Sequence, residues 1–211
     1  MLFRSRLDIS FVVSTTSVDA EENFKLVKST IDSIIERHGV KKHLYSLMTF
    51  GQRSNIVFPF QKTDKESLLT LIQGARLPSG SPDLVNALKD AKYLFFQPSG
   101  GARPDSRKVI IVMIDRKSVN TGSNIEKIVG DFEDGKVRFV TVVIGKNAGP
   151  DELIPLAPDK DKTNIVYTDK DGVPSIVGKK IMVLITLGKY YRDIEFVHSV
   201  WSPLALFRVL S

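Results

Sequence analysis

Leu7–Phe24, LDISFVVSTTSVDAEENF, decides the fold of this chain. The apolar run Ile9–Val13 predicts a strand, and the hydroxyl-rich Ser14–Ser17 that follows predicts a loop. Phe24, Val27, Ile31, Ile34 and Ile35 then fall on one face of a predicted helix over Ala20–Arg37, with Gly39 just past its end. In an open α/β sheet, a loop between a strand and the helix it feeds lies at the carboxyl end of the strand, where such folds place ligands.

The same alternation continues along the chain. Val109–Ile114 and Val137–Ile144 are nearly continuous apolar runs, as expected for parallel strands covered on both faces. Leu44–Phe50 is separated by Gly51–Ser54 from Asn55–Phe60, which predicts a hairpin with one antiparallel strand at the sheet border. Pro59 suits a border because it has no N–H for a neighbouring strand. Ile165–Tyr167 is a short last strand. Helices are predicted over Asp64–Ile72, capped by Thr63 or Asp64, over Asp83–Phe96, and more weakly over Ser123–Phe132, Pro150–Leu156 and Ser175–Ile185. Gln97–Ser106 reads as a loop. The expected architecture is a doubly wound, mostly parallel six-stranded α/β sheet with one antiparallel edge strand and helices on both faces.

The 211 residues suffice for one domain with a buried core. No apolar run approaches the roughly 18 residues of a membrane span, and the first segment runs into a strand without a signal-peptide cleavage pattern. The absence of cysteine excludes disulfides and thiol catalysis. A net charge of +6 favours acidic partners in general.

Five separated strings resemble the von Willebrand factor A domain family, in that family's order. They are LDISFVV with NFKLVKSTIDSII after it, LYSLMTFG, PDLVNALKDAKYLFF, SRKVIIVMIDRKS, and VRFVTVVIGKNAGPDELIPLA. The resemblance covers roughly residues 7–186, which reads as one domain over 1–186 and leaves 187–211 as an apolar tail with Tyr190, Tyr191, Phe196, Trp201, Leu204, Leu206 and Phe207. It implies a Rossmann-like sheet and a metal-ion-dependent adhesion site above it. In the family a D-x-S-x-S loop, a threonine and a later aspartate hold a divalent cation. Here those positions fall on Ser14, Thr16 and Val18, on Pro82 with Ser81 beside it, and on Asp115.

Only one carboxylate of that set survives, so Ser14, Thr16, Ser81 and Asp115 read as a degenerate site, with no cofactor expected and Mg²⁺ the candidate if any binds. Arg116 and Lys117 follow Asp115. At about 5 Å and an effective dielectric near 20, two unit charges repel by about 3 kcal/mol, and a divalent ion doubles that. Two readings stay open: Arg116 pairs with Asp115 and the site is inert, or Arg116 and Lys117 capture a partner's carboxylate or sulfate directly. Asp19 and Asp83 read as helix caps.

No hydrolase elbow, Walker loop or dinucleotide fingerprint is present, so the chain reads as non-enzymatic. His38, His43 and His198 are not spaced as metal ligands, and His38 and His43 are expected on the surface. The basic pairs Lys41-Lys42 and Arg107-Lys108, with Arg103, lack the aromatic interleaving of a single-strand nucleic-acid platform. The resemblance implies an extracellular module that binds a protein ligand, a matrix or collagen-like one, or an acidic glycan. The alternative is an intracellular scaffold domain of a multiprotein complex.

Overall fold

Strand β1 (Leu7–Ser14) is buried along its whole length and lies at the centre of the sheet. The computed structural model describes residues 6–115, 124–145, 154–157, 165–168 and 171–187. After β1 come α1 (Ala20–His38), β2 (Leu44–Phe50), β3 (Ser54–Phe58), α2 (Lys65–Gly74) and α3 (Leu84–Phe96). Then follow a 3-10 turn at Pro98–Gly100, β4 (Arg107–Asp115), α4 (Ile125–Asp134), β5 (Val137–Ile144), β6 (Ile165–Thr168) and α5 (Pro174–Leu187). The six strands are ordered β3-β2-β1-β4-β5-β6. β2 and β3 are antiparallel, and every other pairing is parallel. The expected sheet is present, with its reversed strand at the border.

Alternation along each strand divides the core in two. Ile9, Phe11 and Val13 of β1 face α1, α2 and α5, where Val27, Ile31, Leu68, Ile72 and Ile181 meet them. Val12, Met48 and Val112 face α3 and α4. On that second face Ser10 and Ser46 stand in register on β1 and β2, and α3 brings Ala87 and Ala91 to the same core. Short side chains on both partners let the helix lie close to the sheet. The hydroxyls of Ser10 and Ser46 are fully buried with no hydrogen-bond partner among the described residues.

Local chemistry sets the element ends. Asp64 caps α2 by accepting the Ser67 N–H at 2.8 Å, and Asp83 caps α3 by accepting that of Asn86 at 3.0 Å. Asp19 holds the corresponding position at α1 but makes no side-chain cap bond. β3 stops at Phe58, before the proline, so the predicted Asn55–Phe60 strand is shorter at that end. Within 154–157 the predicted Pro150–Leu156 helix is a 3-10 turn, and Leu156 accepts a bond from the Thr141 hydroxyl at 2.8 Å. The tail beyond Leu187, His198 included, lies outside the described residues.

The amino end of the sheet is held by a buried ion pair. Asp8 is fully buried and accepts bonds from the Arg103 backbone N–H at 2.6 Å, from its guanidinium at 2.5 and 2.8 Å, and from the Ser106 hydroxyl at 2.5 Å. The same guanidinium reaches the carbonyls of Leu7 and Lys42 at 3.0 and 3.1 Å. It thereby ties the 97–106 loop to the starts of β1 and β2. His43, expected on the surface, is buried beside this cluster, and its Nδ1 accepts the Leu7 N–H at 3.2 Å. The correction has a physical reason: a neutral imidazole supplies an acceptor to a strand N–H at the point where β1 begins.

Burial, with the neighbouring cations Arg103 and Lys42, holds the His43 pKa below its ordinary value. Burial, then His43 and Arg37, lowers that of His38 to about 4. Both imidazoles resist protonation in the fold more than in an unfolded chain, which protonates near pH 6.5, and His38 does so down to about pH 4. Stability is therefore intact above that pH and declines as pH falls from 6.5 toward 4. A thermal-unfolding profile should show this decline, and His38→Gln should flatten it; an equally steep variant profile would refute the assignment. Ser10→Ala and Ser46→Ala each remove a buried, unanswered hydroxyl and should leave stability unchanged or raise it by about 1 kcal/mol in urea unfolding.

Candidate functional site

The strand order reverses direction between β1 and β4, which places a crevice at their carboxyl ends. Ser14 closes β1 beside Ile114, and Asp115 ends β4 one residue later. The loop from Ser14 to Asp19 rises from this point into α1.

Asp115 is only 1% exposed, and its Oδ2 accepts the backbone N–H groups of Thr16 at 2.6 Å and Ser17 at 2.7 Å. Two successive peptide N–H groups aimed at one oxygen form an anion-binding concavity. Here the anion is the protein's own carboxylate. Charge-assisted bonds of this length are among the stronger hydrogen bonds, so β4 pins the β1–α1 loop.

Side chains finish the loop. The Thr15 hydroxyl donates to the Ala20 carbonyl at 3.1 Å, and Asn23, buried in the first turn of α1, donates to the Ser17 hydroxyl at 3.1 Å. The braced loop presents Val18 to solvent with 90% of its surface exposed.

Of the residues expected here, Ser14, Thr16 and Asp115 meet at the switch point. Ser14 is wholly buried, and Thr16 engages the carboxylate through its backbone. Ser81 is exposed in the loop that leads into α3, at the same end of the sheet. Arg116 and Lys117 lie outside the described residues. Sequence reading missed the amide pair, because a backbone N–H has no signature in residue identity.

At the switch point the described residues offer a hard cation a single carboxylate, Asp115. Among the described residues no three His, Cys, Asp or Glu side chains gather as a metal cluster. The surviving carboxylate already receives two peptide donors on one oxygen, whereas Mg²⁺ draws near-octahedral oxygen ligation from carboxylates and water.

Beside the switch point lies an open polar cleft of about 390 Å³, lined by Gly51–Ser54, Asp83, Asn86 and Asp90. Ser54 donates to Asp90 at 2.6 Å, and Gln52 N–H bonds the Ser79 carbonyl at 3.1 Å. Gly51 is required here, since a Cβ would meet the Ser79 oxygen at 2.0 Å. The hairpin turn and the α2–α3 loop are thus locked together.

The model of the von Willebrand factor type A domain matches residues 8–179. Matrilin-1 of Gallus gallus is 28% identical over 184 residues, covering 86% of this chain and 36% of the relative. Integrin alpha-X of Homo sapiens is 25% identical over 115 residues, covering 54% of this chain and 10% of the relative. The chain thus spans only about a third of the matrilin and a tenth of the integrin subunit. Among solved structures, proximal thread matrix protein 1 from the mussel byssus superposes with a TM-score of 0.74. Its identity is 23%, with 86% of this chain and 48% of that one covered. That likeness is one of fold.

Replacing the pinning carboxylate should loosen the loop it holds. Asp115→Ala is expected to cost about 1.5–3 kcal/mol in denaturant unfolding, the range for hydrogen bonds to a charged group. Amide exchange at Thr16 and Ser17 should accelerate; unchanged exchange would refute the pin.

Proposed function

The chain belongs to the von Willebrand factor type A domain family, and on that premise we propose that it is a non-enzymatic, extracellular-matrix or adhesion-type module that binds a protein partner. The relatives it resembles, a matrilin and an integrin subunit, support this reading. Among the described residues no helix is long and apolar enough to cross a membrane.

The observation that carries the proposal is the surface around the pinned loop. Val18 stands almost fully exposed on a braced support, and Leu77, Tyr167, Val173 and Ile176 are exposed large apolar residues at the same end of the sheet. Ile56, Leu71 and Tyr93 are the other exposed large apolar residues among those described. Apolar side chains already held on a rigid frame can be buried by a partner at little ordering cost.

In this reading the contact has little or no dependence on metal, because Asp115 serves the loop. Arg116 and Lys117, next in sequence, supply positive charge toward an acidic group of the partner, as charge-assisted bonds would require.

The test is binding to a panel of immobilised matrix proteins, collagens included, with EDTA or with millimolar Mg²⁺. Binding should be equal in both conditions. Val18→Asp should weaken it at least about tenfold, because a carboxylate buried there without a partner is costly, and Arg116→Glu with Lys117→Glu should weaken it further. Binding that needs Mg²⁺, or that is indifferent to Val18→Asp, would overturn the proposal.

A further inference from the structure

The opposite end of the sheet carries a different surface. Strand register brings together cations that are far apart in sequence. Asp8 of β1 pairs with Leu44 of β2 and with Lys108 of β4, and Lys108 pairs with Val137 of β5. Lys41 and Lys42 precede β2, Arg107 and Lys108 open β4, and Lys136 precedes β5. Arg37 joins them in the last turn of α1, whose carboxyl end lies at this side. Lys41, Lys42, Arg107 and Lys136 are exposed, and Lys108 is half-buried.

The acidic groups do not cancel this charge. Asp8 is answered by Arg103, and Asp105 by Arg6 at 2.8 Å. Along the β2-to-β5 edge, Glu36, Glu133 and Asp134 remain against the six cations. The start of α2, at the β3 border, is neutral, with Lys62 and Lys65 against Asp64 and Glu66.

We infer that this amino-end edge is a binding surface for a sulfated glycan chain, separate from the protein contact at the carboxyl end and independent of it. Neighbouring strands lie about 4.8 Å apart, so the cations from β2 to β5 span about 14 Å. That suits a linear chain bearing repeated charge better than a single anion. Arg107 is held in place by a 3.0 Å bond from its guanidinium to the Ile185 carbonyl, leaving other N–H groups for sulfate oxygens.

The surroundings select the class of polyanion. Among the described residues no exposed large apolar side chain lies on the strand starts or the turns that feed them. A protein partner would look for apolar anchors, and a single-stranded nucleic acid for stacked aromatic rings. Charge at the surface without apolar anchors matches a sulfated polysaccharide.

The experiment uses heparin chains, desulfated heparin, duplex DNA and polyglutamate as probes, with the whole chain immobilised. Heparin should bind at 50 mM NaCl and weaken at least tenfold by 200 mM, as screened surface charge requires. Lys41→Glu with Lys42→Glu, and separately Lys136→Glu, should each weaken heparin binding at least tenfold, with circular dichroism unchanged. Lys25→Glu, near the start of α1, should change it by no more than twofold. Binding to Val18→Asp should match wild type, which separates this surface from the one at the other end. No binding at low salt would overturn the inference. So would equal loss in Lys25→Glu, equal binding of desulfated chains, or tighter binding of DNA or polyglutamate.

Discussion

A carboxylate removed from water must be met by donors, and this fold meets that demand at both ends of its sheet. At one end Asp8 receives a guanidinium, a peptide N–H and a hydroxyl. At the other Asp115 receives two peptide N–H groups. Removing one partner of a buried pair costs several kcal/mol, since the other is left uncompensated. Each carboxylate therefore fixes the loop that serves it: the 97–106 segment at the amino end, and the β1–α1 turn at the carboxyl end. The helices above and below are placed by apolar packing, but the 97–106 segment and the β1–α1 turn are placed by these two acids.

The division of labour between the ends follows from that. Around Asp115 the loop exposes apolar surface, whereas around Asp8 the strand starts expose lysine and arginine. A parallel sheet makes this separation natural. All its parallel strands begin at one end and finish at the other, so residues before strands and residues after strands collect on opposite surfaces.

Much of the fold was legible in the sequence because Ile9–Val13, Val109–Ile114 and Val137–Ile144 are nearly continuous apolar runs, as strands of a doubly covered sheet require. The border hairpin was legible from Gly51 and Pro59. Asp8 was not, since an acid at the start of a strand gives no hint that Arg103, 95 positions away, will reach it. His43 was misjudged for a related reason: its role is to accept a backbone bond, and the donor is any residue's N–H. At the site, Ser14, Thr16 and Asp115 were legible as a set that has lost negative charge. That Asp115 would face the loop's own amides was not, because the amides of Thr16 and Ser17 converge only once β1, β4 and α1 are in place.

The border strand bears on how copies of this domain behave when packed densely. β3 is five residues long, its pairing with β2 slips at Leu47 and Met48, and a proline follows it directly. Such an irregular, short rim is a poor template for a neighbouring backbone, and natural sheets use the same devices against edge-to-edge growth. Crowded copies should consequently meet through their side chains and remain discrete particles, without merging into a continuous fibril.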